Sequence, residues 1–517
     1  MEPFSKIPFM PKRFISFWHF LYITIFCLIP LNASQLNLTM SSNPSRINPI
    51  LSNDSASSEI SNWLFNGLFK YDKDGNIVTD LASSYDFENE TTLIVHLKDN
   101  VLWHDGKKLS AKDVIFTYET IISPKIFTSI AGSFAVVKSV TMIDELTIKI
   151  EYHKPYYKAL EIWMVGLLPY HILKDEQDLM TSSFNKNPIG TGPYKLSSFK
   201  VSSDIELIAN EDYFEKKPKI DRILYKFLPD ANTTFLMLKQ NSIDIGGLSP
   251  LQISRQVEEN FFDNYQIISK ESFSYTYMGF NLKKDKFKDI RIRKALSYAI
   301  DRQELVDILF FGYGKVCKGP FLPNTFAYND EIETPKVDLV KAKKLLKEAG
   351  YDENNPFVFE IVTNSGNDTR VNAAQIIQYQ LKKIGIDMKI RVLEWQAFLN
   401  TIVHPRNFDA VLLGWSMSLM PDAKPIWHSE SDRVGGFNFV GYNNSQVDEL
   451  IDSSISVIDQ QKLSIIYKQM FSMIVEDSPY IFLYIPDAIT AVSKNIKNIE
   501  PSFTGIWHNQ IDWEKVD

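Results

Sequence analysis

The chain has 517 residues, of which 44% are hydrophobic and 13% aromatic, and it carries a formal net charge of -8. This length exceeds what one ordinary hydrophobic core supports, so the sequence predicts two or three domains. The composition excludes intrinsic disorder, and the negative charge without long basic runs argues against nucleic acid as a partner.

The N-terminus has the layout of a secretory signal peptide. Lys6, Lys12 and Arg13 precede the apolar run FISFWHFLYITIFCLIPL, which is followed by the small residues Ala33 and Ser34. We predict that residues 1–34 are a cleaved leader and that the mature chain is periplasmic. An uncleaved N-terminal anchor is the alternative, because the apolar run is long enough to span a membrane.

The two cysteines predict neither a lipid anchor nor a disulfide. Phe26 precedes Cys27 at the position where a lipid-attachment motif has a small residue. Cys317 is the only cysteine beyond the leader, so no internal disulfide can form in the mature chain.

The first half of the chain predicts strands with a few helices. A helix is expected within SASSEISNWLFNGLFKYD, with Ser55, Ser57 or Ser58 as its N-cap. TTLIVHLKDNVLWHDGKKLSAKDVIFTYETI then predicts two strands, an Asp-Gly turn and a further helix.

Two pairs of polar residues mark that turn and helix. Ser110 and Asp113 have the spacing of a capping box at the start of the helix. We interpret His104 and Asp105 as parts of the preceding polar turn rather than as groups with a chemical role.

Two segments predict strand–helix–strand units, which favour a mainly α/β fold. The first is KIDRILYKFLPDANTTFLMLKQNSIDIG, and the second runs from PFVFEIVTNSG through TRVNAAQIIQYQLKKIG to IDMKIRVLEW. FDAVLLGWS predicts a further strand after the second unit.

Helices dominate the rest of the second half. KDIRIRKALSYAIDRQELVDILFFG predicts a helix pair that ends at Gly312, and VDLVKAKKLLKEAG predicts a helix that ends at Gly350. The order of elements suggests two lobes joined by two strands, SKESFSYTYMGFN in one direction and YIFLYIPDAITAVS in the other.

Motifs of catalysis and metal binding are missing from the sequence. It contains no G-x-S-x-G, P-loop or H-E-x-x-H motif, and its histidines show no metal-ligand spacing. GYGKVCKG begins like a dinucleotide-binding loop, but Cys317 replaces the third glycine and the run follows a helix. We therefore expect a protein that is not an enzyme and has neither a cofactor nor a resident metal.

Four blocks in order resemble the bacterial extracellular solute-binding proteins of family 5, the peptide, dipeptide and nickel binding proteins of ABC importers. The blocks are LASSYDFENETTLIVHLKDNVLWHDGKKLSAKDVIFTYE, GTGPYKLSSF, YMGFNLKKDKFKDIRIRKALSYAIDRQELV and FVGYNNSQVDELI. Each alone is weak evidence, but four in register over most of the chain are specific.

The resemblance implies an α/β, two-lobed periplasmic binding protein fold of type II (cluster C-like), with an extra inserted domain and a hinge of two crossing strands. Lobe I would comprise 35–75, 186–272 and 484–517. The inserted domain would cover 76–185, and lobe III would cover 273–483.

The same resemblance places the loop GWSMSLMPDAKPIWHSE at the cleft between the lobes. In peptide-binding relatives this loop reads G-W-x-x-D, and its aspartate takes the ammonium group of the peptide. Ser418 stands in that place here, so either Asp422 substitutes or the ligand is not held by a free N-terminus. A buried ammonium without its carboxylate would lose about 2–5 kcal/mol.

Further cleft residues follow from matching loops and strand ends, and for each of them a packing role is the alternative. The full set of candidate ligand-binding residues is Gly414, Trp415, Ser416, Ser418, Asp422, Trp427, Asn53, Asp54, Asn364, Ser365, Trp395, Tyr275, Tyr277 and Tyr442.

The function implied is capture of oligopeptides or dipeptides in the cleft and delivery to the permease subunits of an ABC importer. We expect a monomer. The alternative within the family is a nickel or metal-chelate binding protein, with His404 or His428 near the cleft.

Overall fold

The computed structural model describes residues 34–516 except Asn53, Pro229, 434–435 and 503–504. The predicted leader, apart from Ser34, and the candidate Asn53 lie outside the described residues. Within the described residues, every helix is too short or too polar to span a membrane.

The helices of the described chain are short and are distributed over its whole length. They are α1 Ser55–Leu64, α2 Ala111–Ile122, α3 Ala131–Phe134, α4 Tyr170–Leu173, α5 Ala231–Lys239, α6 Pro250–Arg255, α7 Phe261–Asn264, α8 Asp285–Lys288, α9 Ile290–Ala299, α10 Arg302–Phe310, α11 Leu339–Glu348, α12 Asp368–Lys382, α13 Trp395–Phe398, α14 Lys424–Trp427, α15 Ser445–Ser454 and α16 Gln460–Asp477.

The strands are more numerous in the first half of the chain. They are β1 Gln35–Met40, β2 Phe69–Tyr71, β3 Ile77–Thr79, β4 Ala82–Asn89, β5 Thr92–Leu97, β6 Val137–Asp144, β7 Thr147–Tyr152, β8 Tyr194–Lys200, β9 Asp204–Ala209, β10 Arg222–Phe227, β11 Ile245–Leu248, β12 Tyr265–Glu271, β13 Ser274–Phe280, β14 Gly314–Val316, β15 Val358–Asn364, β16 Asp387–Leu393, β17 Ala410–Ser416, β18 Tyr480–Ser493, β19 Ile496–Lys497 and β20 Glu514–Lys515.

Three sheets organise these strands in the described part of the chain. One sheet, in predicted lobe I, has the order β1-β10-β9-β8, and a second, within the predicted inserted segment 76–185, has the order β4-β5-β7-β6. The central sheet has the order β11-β18-β13-β17-β15-β16, with β12 and β14 also paired to β18. Two smaller sheets of two strands each, β2-β3 and β19-β20, complete the set.

The long strand β18 belongs to both lobes. Its first residues pair with β13, as in Thr276 opposite Tyr484, and its last residues pair with β11 and β12, as in Ile245 opposite Val492. Next to it, β12 continues into β13 after only two residues, and Ser272 N donates to Pro486 O at 3.0 Å. The predicted pair of crossing strands is therefore confirmed.

Both predicted strand–helix–strand segments form these elements, but only the second is a βαβ unit within one sheet. β15 and β16 flank α12 and pair in parallel, as expected. β10 and β11 flank α5 but belong to different sheets, and β11 pairs antiparallel with β18. Alternation of apolar residues identifies a strand but does not name its partner.

Four groups of buried apolar residues form the cores in the described residues. One group runs without a break through lobe I and the inserted segment, from Leu36 through Trp163 to Tyr225. Two others cover the two faces of the central sheet, with Tyr277 on one face and the adjacent Met278 on the other. The inserted segment therefore shares its core with lobe I, whereas lobe III has cores of its own.

The predicted helix ends are present in the structure, except for the N-cap of α1. The capping box of Ser110 and Asp113 is present, and the pair α9 and α10 ends at Phe311 and Gly312, which both have positive φ. The cap of α1 is Asp54 rather than one of the three serines, because its carboxylate accepts from Ser57 N at 2.7 Å.

His104 has a larger role than the predicted polar turn. Its Nδ1 accepts from Gly190 N at 3.1 Å, and its Nε2 donates to Gly192 O at 3.1 Å. Burial lowers the pKa of His104 to about 4, so the ring is neutral at neutral pH. The imidazole therefore joins the inserted segment to the GTGP loop of lobe I.

We predict that this histidine makes the protein sensitive to acid. Its pKa lies below the value of about 6.5 expected in the unfolded chain, so protonation favours the unfolded state as the pH falls below that value. The free energy of unfolding should fall by about 1–2 kcal/mol between pH 7 and pH 5, measured by urea denaturation.

His104→Asn should remove this part of the pH dependence, whereas replacement of the exposed His404 by asparagine should leave it unchanged. Equal pH slopes for the wild type and His104→Asn would contradict the assignment.

Candidate functional site

Several candidate residues gather at one edge of the central sheet. β15 pairs in parallel with β16 and β17, so their carboxyl ends meet at the same edge. Asn364 and Ser365 follow β15, Trp395 follows β16, and Ser416 ends β17. Because β12 and β18 continue from this edge into lobe I, it faces the region between the lobes.

Trp415 is half-buried at this edge. Its indole stacks on Tyr277 at 6.1 Å and contacts Phe437 at 5.6 Å, both between ring centroids. Its Nε1 donates to the hydroxyl of Tyr480 at 3.4 Å. The side chain thus packs on lobe III on one side and leaves part of its surface for contact with a ligand.

Gly414 has a steric role that the sequence did not reveal. A β-carbon built on Gly414 would lie 2.9 Å from the carbonyl oxygen of Tyr275 and 3.0 Å from Nη2 of Arg370. The missing side chain lets the guanidinium of Arg370 lie directly against the strand.

The loop after β17 is exposed. Ser418 Oγ donates to the carbonyl of Met420 at 2.7 Å, so its hydroxyl is engaged within the loop. Asp422 is also exposed, and its Oδ1 accepts from the backbone amide of Lys424 at 3.0 Å. Of the two residues, Asp422 carries the charge that an ammonium group requires.

Asp422 lines a cavity of about 490 Å³ between the inserted segment and lobe III. Val136, Tyr156 and Tyr157 form one side, and Phe437 belongs to the opposite side. Burial raises the pKa of Tyr156, and the negative charge of Asp422 adds to this effect. The cavity therefore combines aromatic walls with a carboxylate.

Two tyrosine hydroxyls fix the carbonyl that precedes Asp422. Tyr157 of the inserted segment and Tyr467 of α16 each donate to Pro421 O at 3.0 Å. Burial raises the pKa of both hydroxyls, so both stay protonated donors. The amide of Tyr157 also donates to Ile455 O at 3.2 Å. These contacts join the inserted segment to lobe III beside the cavity.

Four of the candidate ligand-binding residues are buried in the core of lobe III and do not form walls of the cleft. Trp427 is fully buried, with its ring centroid 4.8 Å from that of Tyr480. Tyr442 is buried and donates to Asp477 at 2.7 Å. Tyr275 and Tyr277 lie in the same core. Apolar aromatic side chains at strand ends suit a core and a ligand wall equally well, so the sequence alone does not separate the two.

The lobe I candidate Asp54 has structural partners. Besides capping α1 it accepts from the hydroxyl of Ser57 at 2.7 Å and from that of Ser45. These bonds lower its pKa against the opposing effect of burial. The side chain is thus occupied as a cap.

Tyr156, Tyr157, Phe437 and Arg370 were missed by the sequence analysis. The two tyrosines follow β7 in EYHKPYYKAL, in a segment with no periodic signal, and meet lobe III only through the tertiary fold. Arg370 opens α12 directly after the strand end at Asn364, which is a position that could have drawn attention to it.

The two histidines considered as metal ligands, His404 and His428, differ in burial and in their contacts. His428 is buried, its Nδ1 accepts from Glu430 N at 3.1 Å, and its Nε2 lies 3.3 Å from Asp452 Oδ2. His404 is exposed. Nowhere in the described residues do three or more His, Cys, Asp or Glu side chains group as ligands for a metal ion.

Comparison with known proteins decides the family. The family model of bacterial extracellular solute-binding proteins, family 5 (middle region), matches residues 76–436. The chain belongs to this family. The oligopeptide-binding protein AppA of Bacillus subtilis (strain 168) is 35% identical over 473 residues, which cover 88% of this chain and 86% of AppA.

Two solved structures match the fold over nearly the whole chain. The structure of AppA from Bacillus subtilis in complex with a nonapeptide matches with a TM-score of 0.81 at 32% identity, covering 93% of this chain and 99% of that one. NikZ from Campylobacter jejuni in complex with Ni(L-His) matches with a TM-score of 0.81 at 31% identity, covering 94% and 100%. The expected type II periplasmic binding protein fold is confirmed.

We predict that the hydroxyl of Tyr157 helps to hold the inserted segment against lobe III. Tyr157→Phe removes one hydrogen bond across this contact, so the two parts should separate more readily. The radius of gyration of the ligand-free protein, measured by small-angle X-ray scattering, should increase.

Tyr194→Phe is the matched control, because its buried hydroxyl donates to Ile220 O at 3.0 Å within lobe I. Both variants should lose about 1 kcal/mol of unfolding free energy. An unchanged radius for Tyr157→Phe, or an equal increase for both, would contradict the prediction.

Proposed function

We propose that this family 5 protein is the peptide-binding component of an ABC importer. In this proposal it captures peptides between lobe I and lobe III, in the periplasm, and delivers them to the permease subunits of the membrane. It works as a monomer. Residues 1–34 are its leader, residues 35–75, 186–272 and 484–517 form lobe I, residues 76–185 form the inserted domain, and residues 273–483 form lobe III. The observation that supports this most strongly is the likeness to AppA, an oligopeptide-binding protein, over nearly the whole chain.

The site offers the chemistry that an extended peptide requires. Trp395 is exposed at 40%, and Trp415 and Phe437 also present aromatic surface near the same edge. Aromatic surfaces hold side chains of varied shape, while hydrogen bonds to the peptide backbone are independent of sequence. Asn364, Ser365 and Ser416 add polar groups at this edge, and ordered water would fill the remaining space.

Asp422 is the proposed partner for the ammonium group of the peptide. It is the carboxylate of the cavity that remains after Glu430 pairs with Lys424 at 3.2 Å. Ser418 does not take this role, because it is uncharged and its hydroxyl donates to the carbonyl of Met420. Closure about the crossing strands would remove the pair from water and strengthen it.

Native mass spectrometry of the protein purified under mild conditions tests the proposed function. We expect a mixture of bound masses that correspond to short peptides and that disappear after unfolding and refolding. Bound nickel chelate without any peptide would contradict peptide capture and would support the metal-chelate alternative.

The role of Asp422 is tested with peptides that differ only at the N-terminus. Asp422→Asn should weaken binding of a nonapeptide with a free amine by about tenfold or more, because a charge pair is lost, and should hardly change binding of its N-acetylated form. Isothermal titration calorimetry measures both affinities. Asp387→Asn, at the opposite end of β16, is the control, and equal losses for both peptides would remove Asp422 as the anchor.

A further inference from the structure

A non-covalent contact joins the two lobes beside the crossing strands. Helix α6 of lobe I ends at Arg255, whose guanidinium lies over the ring of Phe311, the residue that follows α10 in lobe III, 5.5 Å from the ring centroid. Tyr313 of lobe III packs against the lobe I core that contains Leu248 and Tyr265. We call the group formed by Arg255, Phe311 and Tyr313 the rear contact.

The lobe III half of the rear contact and the candidate site lie on opposite sides of β18. Tyr484 of β18 pairs with Thr276 of β13 on one side and with Val316 of β14 on the other. From β13 the sheet continues through β17 to β15, where the candidate residues gather. On the other side, Tyr313 O accepts from Asp487 N at 3.0 Å just before β14 begins. Closing the cleft therefore takes place on the side of β18 that is remote from Tyr313.

The lobe I half of the rear contact is on the same side as β14. Ile489 of β18 pairs with both Ser269 of β12 and Leu248 of β11. Because β12 continues into β13 on the cleft side, β11 lies on the β14 side. Helix α6 begins directly after β11 and brings Arg255 to the ring of Phe311. Both halves of the rear contact thus lie behind the crossing strands.

The backbone at Phe311 is unusual for an aromatic residue. Phe311 has φ of +52° and Gly312 has φ of +93°, so the chain leaves α10 through two left-handed residues. A bulky side chain disfavours this conformation, and glycine is the usual residue there. Strained residues persist where their surroundings hold them, and here the ring meets a cation of the other lobe.

Arg255 has the ring as its side-chain partner. The residue is exposed, and within the described residues no carboxylate lies at ion-pair distance from its guanidinium. An arginine over an aromatic face is attracted by the negative charge density of the ring. At an exposed site this attraction changes an equilibrium about two- to fivefold. The contact is therefore weak enough to break and strong enough to shift a population.

Rotation about the crossing strands affects the two sides of β18 in opposite ways. Each lobe keeps its own packed core, so the lobes move as nearly rigid bodies. A rotation that narrows the cleft must widen the gap behind β18, which separates Arg255 from Phe311. On the cleft side, the bond from the hydroxyl of Tyr157 to Pro421 O favours the closed arrangement. The two contacts thus act against each other.

We propose that the rear contact is a latch that stabilises the open arrangement of the lobes. A peptide that closes the cleft has to break it, so peptide affinity is reduced in proportion to the fraction of molecules that are already closed. The affinity is then set in part by residues that lie away from the ligand. This rests on the proposed function, since closure is taken to occur about a peptide.

Removal of the latch should strengthen peptide binding. Arg255→Gln should raise the affinity for a nonapeptide about two- to fivefold in isothermal titration calorimetry, because less free energy is spent on closure. Phe311→Leu should do the same, and the double variant should gain no more than either single one, since both remove one interaction. Arg255→Lys keeps a cation over the ring and should remain close to the wild type.

Lys383→Gln is the matched control. The ammonium of Lys383 lies over the ring of Tyr379 at 4.8 Å, and both residues belong to lobe III. Its removal deletes a surface cation–aromatic pair without touching the other lobe, so the affinity should not change. A purely structural role of Arg255 would lower the stability of the protein but would not raise its affinity.

The ligand-free protein tests the latch independently of any peptide. With dyes attached through Asp212→Cys in lobe I and Glu353→Cys in lobe III, single-molecule energy transfer counts open and closed molecules. The closed fraction should rise about two- to fivefold relative to the open fraction in Arg255→Gln and stay unchanged in Lys383→Gln.

The outcomes separate the latch from the proposed function. If the closed fraction rises in Arg255→Gln but no nonapeptide binds, the latch stands and peptide capture fails. If the wild type binds nonapeptides while Arg255→Gln shows an unchanged or lower closed fraction and affinity, the latch is overturned and peptide capture stands. An equal gain for Lys383→Gln would also overturn it.

Discussion

The pairing of β18 with strands of both lobes is the constraint on which the architecture depends. One strand of 14 residues joins the lobe III strands β13 and β14 at its start and the lobe I strands β11 and β12 at its end. With β12–β13 beside it, the chain crosses between the lobes twice within one sheet. The strand pairing therefore fixes where the two lobes are joined, and the joint consists of only these crossing strands. Such a joint permits rotation of one lobe against the other without loss of either core.

The same sheet explains where the candidate site lies. Carboxyl ends of parallel strands carry loops on one edge, and in lobe III this is also the edge from which the crossing strands leave. Trp395, Asn364 and Gly414 thus come together from segments far apart in sequence. The opposite side of the large cavity is contributed by Tyr156 and Tyr157 of the inserted segment. The cavity depends on the position of all these parts, and so does its carboxylate, Asp422.

Much of the fold was predictable because it rests on local signals. Alternation and caps identified the strand β17, the unit of β15, α12 and β16, and the helix pair before Gly312. The prediction that β10 and β11 belong to one βαβ unit failed because strand pairing depends on residues that are distant in the sequence. Asp54 was not recognised as the cap of α1 for a different, local reason, because aspartate and serine have similar preferences for that position.

The site was predictable only in outline. Matching loops found the edge, but they did not separate Trp415, which is half-buried, from Trp427, which is fully buried in the core. Burial of an aromatic residue is decided by what packs over it, and that partner is distant in sequence. Arg370 was missed because an arginine in a first helical turn is usually solvated. Only the folded chain reveals its contacts with Asn364 and Gly414.

The central claim is that the two lobes close about a peptide by bending at the crossing strands. Cysteines introduced at the exposed Asp212 of lobe I and Glu353 of lobe III can carry a donor and an acceptor dye, because the native Cys317 is buried. Energy transfer between the dyes should rise when ligand-free protein is titrated with nonapeptides and should saturate with binding. Transfer that stays constant while calorimetry records peptide binding would contradict closure, and capture by bending at the crossing strands would then be wrong.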